Sequence, residues 1–425
     1  MMKAAILAAG DSTRMKPLSA YRPKHLLPIA GKPLIHHTLE ALTQAGVDET
    51  LIVYGYKGLQ LKEDIDRHDW GEMNISYTEQ EKRKGTAHAA SYAREFAGEE
   101  DILIMNGDVL VGPGSFDTLI EHHKKSDARM TLSVVPMDNP TAYGIVVEDG
   151  GRAVDIIEKP SSDQLVSDLV NVGVYVAGPE LWDAIEKTEL SSRGEYEITD
   201  SISMLIEDGV VDVCSLPSWW KDIGKPWDLL VANRLLLEET EGRIAGYVEK
   251  GAVVQGRVTI EKGATVRAGA YITGPAYIST DCIVGPNCYL RPHTYLAPGV
   301  KVGNAVEVKN SVIMENSSIG HLSYVGDSVI GRRVNFGAGT ITANLRHDNQ
   351  SVWVTVKGER TDSGRRKLGS IIGDNVKMGI GTSLSPGVVV NEDAQTGMGV
   401  IVDQDIGAGK LLIAEQPKQI LKKGH

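Results

Sequence analysis

A short apolar run near the start of the chain ends at Ala8-Ala9-Gly10, and two cations, Arg14 and Lys24, follow within fifteen residues. Small residues at a strand end let backbone N–H groups come close to an oxyanion, and nearby cations add charge to the same task. The chemistry such a stretch could support is phosphate binding. An ordinary strand-to-loop turn with solvated cations explains the same spacing, and the residues alone leave both readings open. Neither common glycine fingerprint is present, since the sequence has no G-x-G-x-x-G and no G-x-x-x-x-G-K-[ST]. His25, His36 and His37 lie among these residues without an evident partner and read as helix or loop histidines.

The elements that must position these residues follow from hydrophobic pattern. Ala4–Ala9 is too short for a signal-peptide core and lacks a cleavage site, so it reads as a buried first strand. Before about residue 245, apolar runs such as "ETLIVYGY", "DILIMNGDV" and "MTLSVVPM" alternate with segments of helical period, among them "PLIHHTLEALTQAG", which stops at Gly46. That alternation predicts a mostly parallel sheet covered by helices, with the residues after Gly10 at the carboxyl edge where such sheets bind ligands. "WDLLVANRLLLEETE", Trp227 to Glu241, suits a linking helix.

Beyond residue 247 the helical signal gives way to a period of six. Val254, Ile260, Val266, Ile272, Ile278, Val284, Leu290, Leu296, Val302 and Val308 follow one another at that spacing; Ile313, Ile319 and Val325 make a second register, and Ile372, Met378, Leu384 and Val390 a third. The pattern predicts a parallel β-helix in which each hexapeptide makes one face, its apolar residue points inward, and three hexapeptides close a coil. The segment from about Leu345 to Leu368 breaks the period and reads as an excursion, either an interface arm or a mobile loop. The chain thus divides into an α/β domain over 1–226, a linking helix over 227–246 and a β-helix over 247–425.

Composition limits the partners. At 425 residues the chain has room for two or three cores. Its 56 acidic residues against 44 basic ones argue against nonspecific binding of nucleic acid, so any anion must be met by local charge. Cys214, Cys282 and Cys288 cannot all pair and show no zinc spacing, which fits reduced thiols in a cytoplasmic protein. Nothing reads as an export signal or a membrane span.

The opening stretch "LAAGDSTRMKPLSAYRPKHLLPIAGKPLI" resembles the signature of sugar-1-phosphate nucleotidylyltransferases, and that family's other marks follow in order: "QEKRKGTAHA", "NGD", "YG", "EKP", "NVGVY" and "KDIGKPWD". With the hexapeptide half, the chain resembles the archaeal-type GlmU family of bifunctional enzymes that make UDP-N-acetylglucosamine. The resemblance implies a Rossmann-like α/β nucleotidyltransferase domain followed by a left-handed parallel β-helix that transfers acetyl groups. It implies that Gly10, Arg14 and Lys24, with the backbone at Ala8 and Ala9, hold the nucleotide phosphates, and that Gln80, Gly85 and Thr86 recognise the base. Asp108 and Asp222 match the magnesium ligands, and Gly144, Glu158, Lys159 and Asn171 match the residues that hold the sugar phosphate. Asp222 departs from the bacterial pattern, where Asn is usual; the aspartate is typical of glucose-1-phosphate thymidylyltransferases. The base therefore reads as uracil or thymine, and the hexose stays open.

In the second half, "YLRPHTYLAPGVKVGNAVEVKNSVI", "IGHLSYVGDSVIG" and "VNFGAGTITAN" resemble the acetyltransferase domain of the same family. The resemblance implies Arg291 and Lys309 for the sugar phosphate, His321 as general base, and Tyr324, Asn335 and Asn344 as positioning groups. It also implies acetyl-CoA as co-substrate and a homotrimer or dimer of trimers. The segments that touch acetyl-CoA in bacterial relatives are altered, with Ile380 and Glu415 at the corresponding positions. Two other readings accompany the bifunctional one: a nucleotidylyltransferase whose β-helix serves assembly or regulation, and a non-catalytic interaction subunit.

Overall fold

Strand Met2–Ala8 has side chains packed on both of its faces, because Ala4, Ile6 and Ala8 enter one apolar core and Ala5 and Leu7 another. Burial on both sides is what its unbroken apolar run predicts. The computed structural model describes residues 2–415 and groups them into two compact units. In the first, which includes Lys32–Gly224, this strand is third in a nine-stranded sheet ordered Asn74–Glu79, Val47–Tyr54, Met2–Ala8, Ile102–Asn106, Leu169–Ala177, Met130–Pro136, Val211–Ser215, Arg152–Glu158 and Gly144–Asp149. Only Leu169–Ala177 and Arg152–Glu158 run against the rest. The sheet is Rossmann-like, with helices such as Leu34–Gln44 and Ile198–Glu207 contributing to the cores on its two faces.

The second unit contains Lys225 onward together with Thr13–Tyr21 and Pro28–Gly31. Within it, Ala30 N–H donates to Asn233 Oδ1 at 3.1 Å, and the Tyr21 hydroxyl donates to the Asp393 carboxylate. Helix Asp228–Glu239 leads into a left-handed parallel β-helix with three parallel sheets of six, eight and seven short strands. The apolar residues of the six-residue period line its single core, where Ile260, Val284, Leu290, Ile319 and Val390 are all fully buried. Consecutive coils stack with Ile272 beside Leu290 and Leu290 beside Val308.

The break at 345–368 is an ordered hairpin seated on its own solenoid. Strands Trp353–Val356 and Glu359–Asp362 pair across Lys357 and Gly358, both at positive φ, as a tight hairpin turn requires. Val352 and Val354 are buried beneath it, and Gly387 lies against the carbonyl of Trp353, where a β-carbon has no room. The solenoid then resumes, with Ile371–Ile372 pairing on Val329–Ile330.

If the inward ladder carries the second unit, Leu290→Ala should lower its stability by about 2–5 kcal/mol, while Lys301→Ala on the outer surface should change it by less than about 0.5 kcal/mol. Urea unfolding followed by circular dichroism checks both, and a neutral Leu290→Ala would contradict the packing argument.

Candidate functional site

In the first unit the chain order turns at Met2–Ala8, which has Val47–Tyr54 on one side and Ile102–Asn106 on the other. Ligands of open α/β sheets bind at the carboxyl ends beside such a reversal. Ala8 and Ala9 are small because neighbouring backbone packs on them. A β-carbon on Gly107 would lie 3.1 Å from Ala8 Cα, and one on Gly55 would lie 2.7 Å from the Ala9 oxygen. Gly10, by contrast, is exposed, with no atom within 4 Å of its missing β-carbon.

Gly107 begins the turn that delivers Asp108, whose carboxylate pairs with the buried Lys24 ammonium. Burial pushes the Asp108 carboxyl up, but the charge and hydrogen bond of Lys24 outweigh this and hold it below the ordinary carboxylate value. Burial, helped by Lys24, pushes His25 down to about 3, so this imidazole is neutral at pH 7. Asp222 ends a strand, Trp220–Asp222, that pairs antiparallel with Val109–Val111. Its register partner is Val109, and the next N–H, from Ile223, donates to the Asp108 carbonyl at 2.9 Å. Strand pairing therefore brings the backbones of Asp108 and Asp222, from segments more than a hundred residues apart, to one end of a ribbon. No group of three or more His, Cys, Asp or Glu suited to a metal occurs among the described residues. A hard cation held by Asp108 and Asp222 would take its other ligands from water and phosphate oxygens, as magnesium does.

Gln80 is buried, and its amide nitrogen donates to the Gly85 carbonyl at 3.3 Å and bonds His88 Nδ1 at 2.8 Å. Gly85 caps helix Thr86–Ser91 at φ 110° and ψ 179°, a region open only to glycine, with the Tyr196 backbone against its missing β-carbon. The Thr86 hydroxyl accepts from Ile198 N–H at 2.9 Å. Around the other carried-over residues, Gly144 pairs directly with Glu158, and Lys159, at φ 49°, donates its N–H to the Tyr143 carbonyl at 3.0 Å. Asn171 donates to the Tyr175 hydroxyl at 3.0 Å, and its own side-chain oxygen accepts Gly173 N–H. Arg193 lies 3.7 Å from Glu158, closer than Lys159 at 3.9 Å, and also pairs with Glu197. Sequence reasoning passed over Arg193 because it sits in a Ser-Ser-Arg-Gly loop without a motif.

In the second unit, Asp327 is the hub. It is 3% exposed and accepts from Lys309 Nζ at 2.9 Å, Asn310 Nδ2 at 2.6 Å and Asn344 Nδ2 at 2.5 Å. Asn344 also donates to the Tyr324 hydroxyl at 3.1 Å, so Lys309, Tyr324 and Asn344 belong to one network. Arg291 stands beside it, paired with Glu307 at 2.9 Å. His321 ends strand Ser318–His321 on the neighbouring sheet and is exposed. Asn335 is on that sheet too, paired with Ser318, and is outside the Asp327 network. Arg14 is exposed on a short 3-10 helix, Thr13–Met15, that belongs to this second unit.

The family model described as nucleotidyl transferase matches residues 3–239, and that described as the GMPPB C-terminal domain matches 272–410. The chain is 44% identical to the "Bifunctional protein GlmU" of Methanococcus maripaludis strain C7, with 93% of both chains covered. It is 40% identical to the "Bifunctional sugar-1-phosphate nucleotidylyltransferase/acetyltransferase" of Sulfurisphaera tokodaii, covering 93% of this chain and 95% of that one. The chain belongs to this GlmU-type bifunctional family. A solved Bacillus anthracis structure, described as a glucose-1-phosphate thymidylyltransferase, is 25% identical and aligns with a TM-score of 0.51 over 57% of this chain and 98% of its own.

GlmU-type membership makes the chain a sugar-1-phosphate nucleotidylyltransferase and acetyltransferase, so both clusters fall on enzyme domains. For Gly85 the geometry has a direct consequence. Gly85→Ala should cost about 1–3 kcal/mol of stability, from strain and collision with Tyr196, and lower nucleotidyl transfer while sparing acetyl transfer. Thermal unfolding and separate assays of the two reactions check it; full nucleotidyl transfer in Gly85→Ala would contradict the close approach.

Proposed function

We propose that the protein transfers a uridylyl or thymidylyl group from the nucleoside triphosphate to N-acetylglucosamine 1-phosphate or a related hexose 1-phosphate, and acetylates glucosamine 1-phosphate, or galactosamine 1-phosphate, with acetyl-CoA. The observation that carries this reading is the pair of separate cation–carboxylate clusters, Lys24–Asp108 and Lys309–Asp327, one on each unit at the family's motif positions.

In the first reaction a phosphate oxygen of the sugar 1-phosphate attacks the α-phosphorus, and the bond to the departing pyrophosphate breaks on the opposite side. Two polyanions must be brought together. Lys24 would offset the nucleotide's charge and Lys159 that of the sugar phosphate, while Glu158 would accept from sugar hydroxyls and Gln80 and Thr86 would orient the base. Asp108 and Asp222 would hold magnesium, which supplies charge shielding at the phosphates. In the second reaction the sugar amine attacks the thioester carbon of acetyl-CoA, the C–S bond breaks and coenzyme A leaves. His321 would take the amine proton as general base. Free, buried thiols at Cys214, Cys282 and Cys288 suit a cytoplasmic location.

One observation favours a narrower reading. The altered coenzyme segment leaves Ile380 exposed, and the second half matches the GMPPB C-terminal domain. On that reading the chain is a nucleotidylyltransferase only, and the β-helix serves assembly or regulation. Assaying the half-reactions in two variants decides between them. Asp108→Asn should lower nucleotidyl transfer by at least about 100-fold and leave acetyl transfer intact. His321→Ala should lower acetyl transfer by about 100- to 10,000-fold and leave nucleotidyl transfer intact. Loss of both activities in either folded variant would overturn the two-site reading, and a wild type that acetylates neither amino sugar would establish the narrower one.

Assembly into a trimer, or a dimer of trimers, belongs to the same proposal. Along the eight-stranded sheet, Val253, Tyr271 and Tyr289 form an outward ladder, and past the polar positions Glu307 and Ser383 the same row also presents Ile341 and Ile401, each of these five apolar residues at least 37% exposed. A stripe of that length is costly to leave in water and suits a neighbouring copy. Light scattering at micromolar concentration should return three or six times the chain mass, and a monomer mass would count directly against it.

A further inference from the structure

A second feature of the β-helix unit is a cavity of about 340 Å³, within the range of small-ligand sites, whose lining includes Arg234, Arg291, His293, Lys309 and Arg365. Arg234 comes from helix Asp228–Glu239, Arg291 and Lys309 from neighbouring coils, and Arg365 from the far end of the 345–368 excursion. Their charges are not equally compensated. Arg291 is matched by Glu307 and Lys309 by Asp327, each at 2.9 Å. Among the described residues, neither Arg234 nor Arg365 has a carboxylate within ion-pair distance, and Arg365 Nε is buried with no hydrogen-bond partner.

We propose that Arg365 and Arg234 are phosphate-binding residues of the amino-sugar 1-phosphate site, and that the 345–368 hairpin serves to deliver Arg365 to it. The inference rests on the acetyltransferase reading of this unit and adds to it two cations that no motif assigns.

Three considerations converge on a phosphate monoester. The first is charge: two cations are already neutralised and two are not, which matches a dianion. The second is geometry, because guanidinium groups offer paired N–H donors that fit phosphate oxygens, and an orphan Nε–H in a buried position is costly until such an oxygen meets it. Burial also pushes the Arg365 pKa down, opposed by Asp327, yet a guanidinium remains charged. The third is placement. Tyr289, Glu307 and Tyr324 line an open groove on the same sheet; Lys309 lies two residues further along the strand of Glu307, about 7 Å away, and Arg291 just past the end of the strand of Tyr289. A phosphate in the cavity would thus leave its sugar directed toward Tyr324 and the segment that follows His321.

The hairpin holds Arg365 in position by its backbone. The Arg365 carbonyl accepts Val352 N–H at 2.9 Å, and its own N–H donates to the Ser363 hydroxyl at 3.2 Å. Leu345 bridges to Lys367, and fully buried Leu368 follows. Removing the guanidinium therefore deletes no hydrogen bond within the protein.

The test compares wild type with Arg365→Met, Arg365→Lys, Arg234→Met and, as a control on the exposed neighbour, Arg366→Met. Acetyl-transfer kinetics on glucosamine 1-phosphate and galactosamine 1-phosphate, and calorimetric binding of inorganic phosphate, are measured for each. Arg365→Met and Arg234→Met should each raise KM for the sugar phosphate by about 10- to 100-fold with kcat changed less than about threefold, as loss of a charge-assisted bond made equally in ground and transition states requires. Arg365→Lys should recover part of the loss, Arg366→Met should behave as wild type, and the KM values of nucleotidyl transfer should not move. Unchanged KM in both Met variants, with wild-type acetylation intact, overturns this proposal and leaves the acetyltransferase reading standing. A wild type that acetylates neither amino sugar overturns that reading and, with it, the assignment of the ligand; phosphate binding that still weakens in both Met variants then retains the cavity as an anion site.

Discussion

The buried carboxylate of Asp327 organises the second catalytic unit. It lies at a solenoid corner in the left-handed region, φ 49°, a conformation that Asp and Asn adopt more readily than most residues. From there it orients an ammonium and two amides that would otherwise be free to rotate. Gly326, immediately before it, has no room for a β-carbon beside the Tyr324 hydroxyl and Asn344, so glycine lets the tyrosine lie over the coil. The cluster depends on a buried charge, whose desolvation is offset by three donors and one full positive charge.

The same device appears in the first unit, where Asp108 holds buried Lys24 at the carboxyl edge of the sheet. In a chain of net charge −12, binding polyanions at two sites demands cations whose positions are fixed before the ligand arrives. Four cations are fixed in this way by a carboxylate, Lys24 by Asp108, Arg193 by Glu197, Arg291 by Glu307 and Lys309 by Asp327, whereas Arg365 is held through its backbone. Local pairing of this kind also keeps the protein from being a general anion binder, because the cations exert little field beyond their own partners.

How much of this was legible in sequence differs by level. The solenoid could be read because its core is periodic: every position from Ile260 to Val308 at a spacing of six is buried. The first strand could be read because its apolar run is unbroken, and the backbones of the motif residues Asp108 and Asp222 lie side by side where their two strands pair. The small size of Ala8 and Ala9 has a different cause from the expected one, since Gly55 and Gly107 pack on them and only Gly10 is open. What could not be read are associations between side chains from remote segments. Asp327 looks like one more turn residue until Lys309, Asn310 and Asn344 are seen to converge on it. Arg234 and Arg365 are separated in sequence by most of the solenoid's coils. The hairpin turn Lys357-Gly358 lacks the usual Asn-Gly signal, so its segment read as an arm or a loop.

The Asp327–Lys309 charge pair, rather than the shape of the residues around it, holds the second site together. A double-mutant cycle measures that directly: urea unfolding of wild type, Asp327→Asn, Lys309→Met and the double variant. Either single change leaves a buried charge without its partner, whereas the double change removes both. The double variant should therefore lose about 1–3 kcal/mol less than the sum of the single losses. Losses that add to within about 0.5 kcal/mol would show that the two residues do not act as a pair, and would contradict the claim.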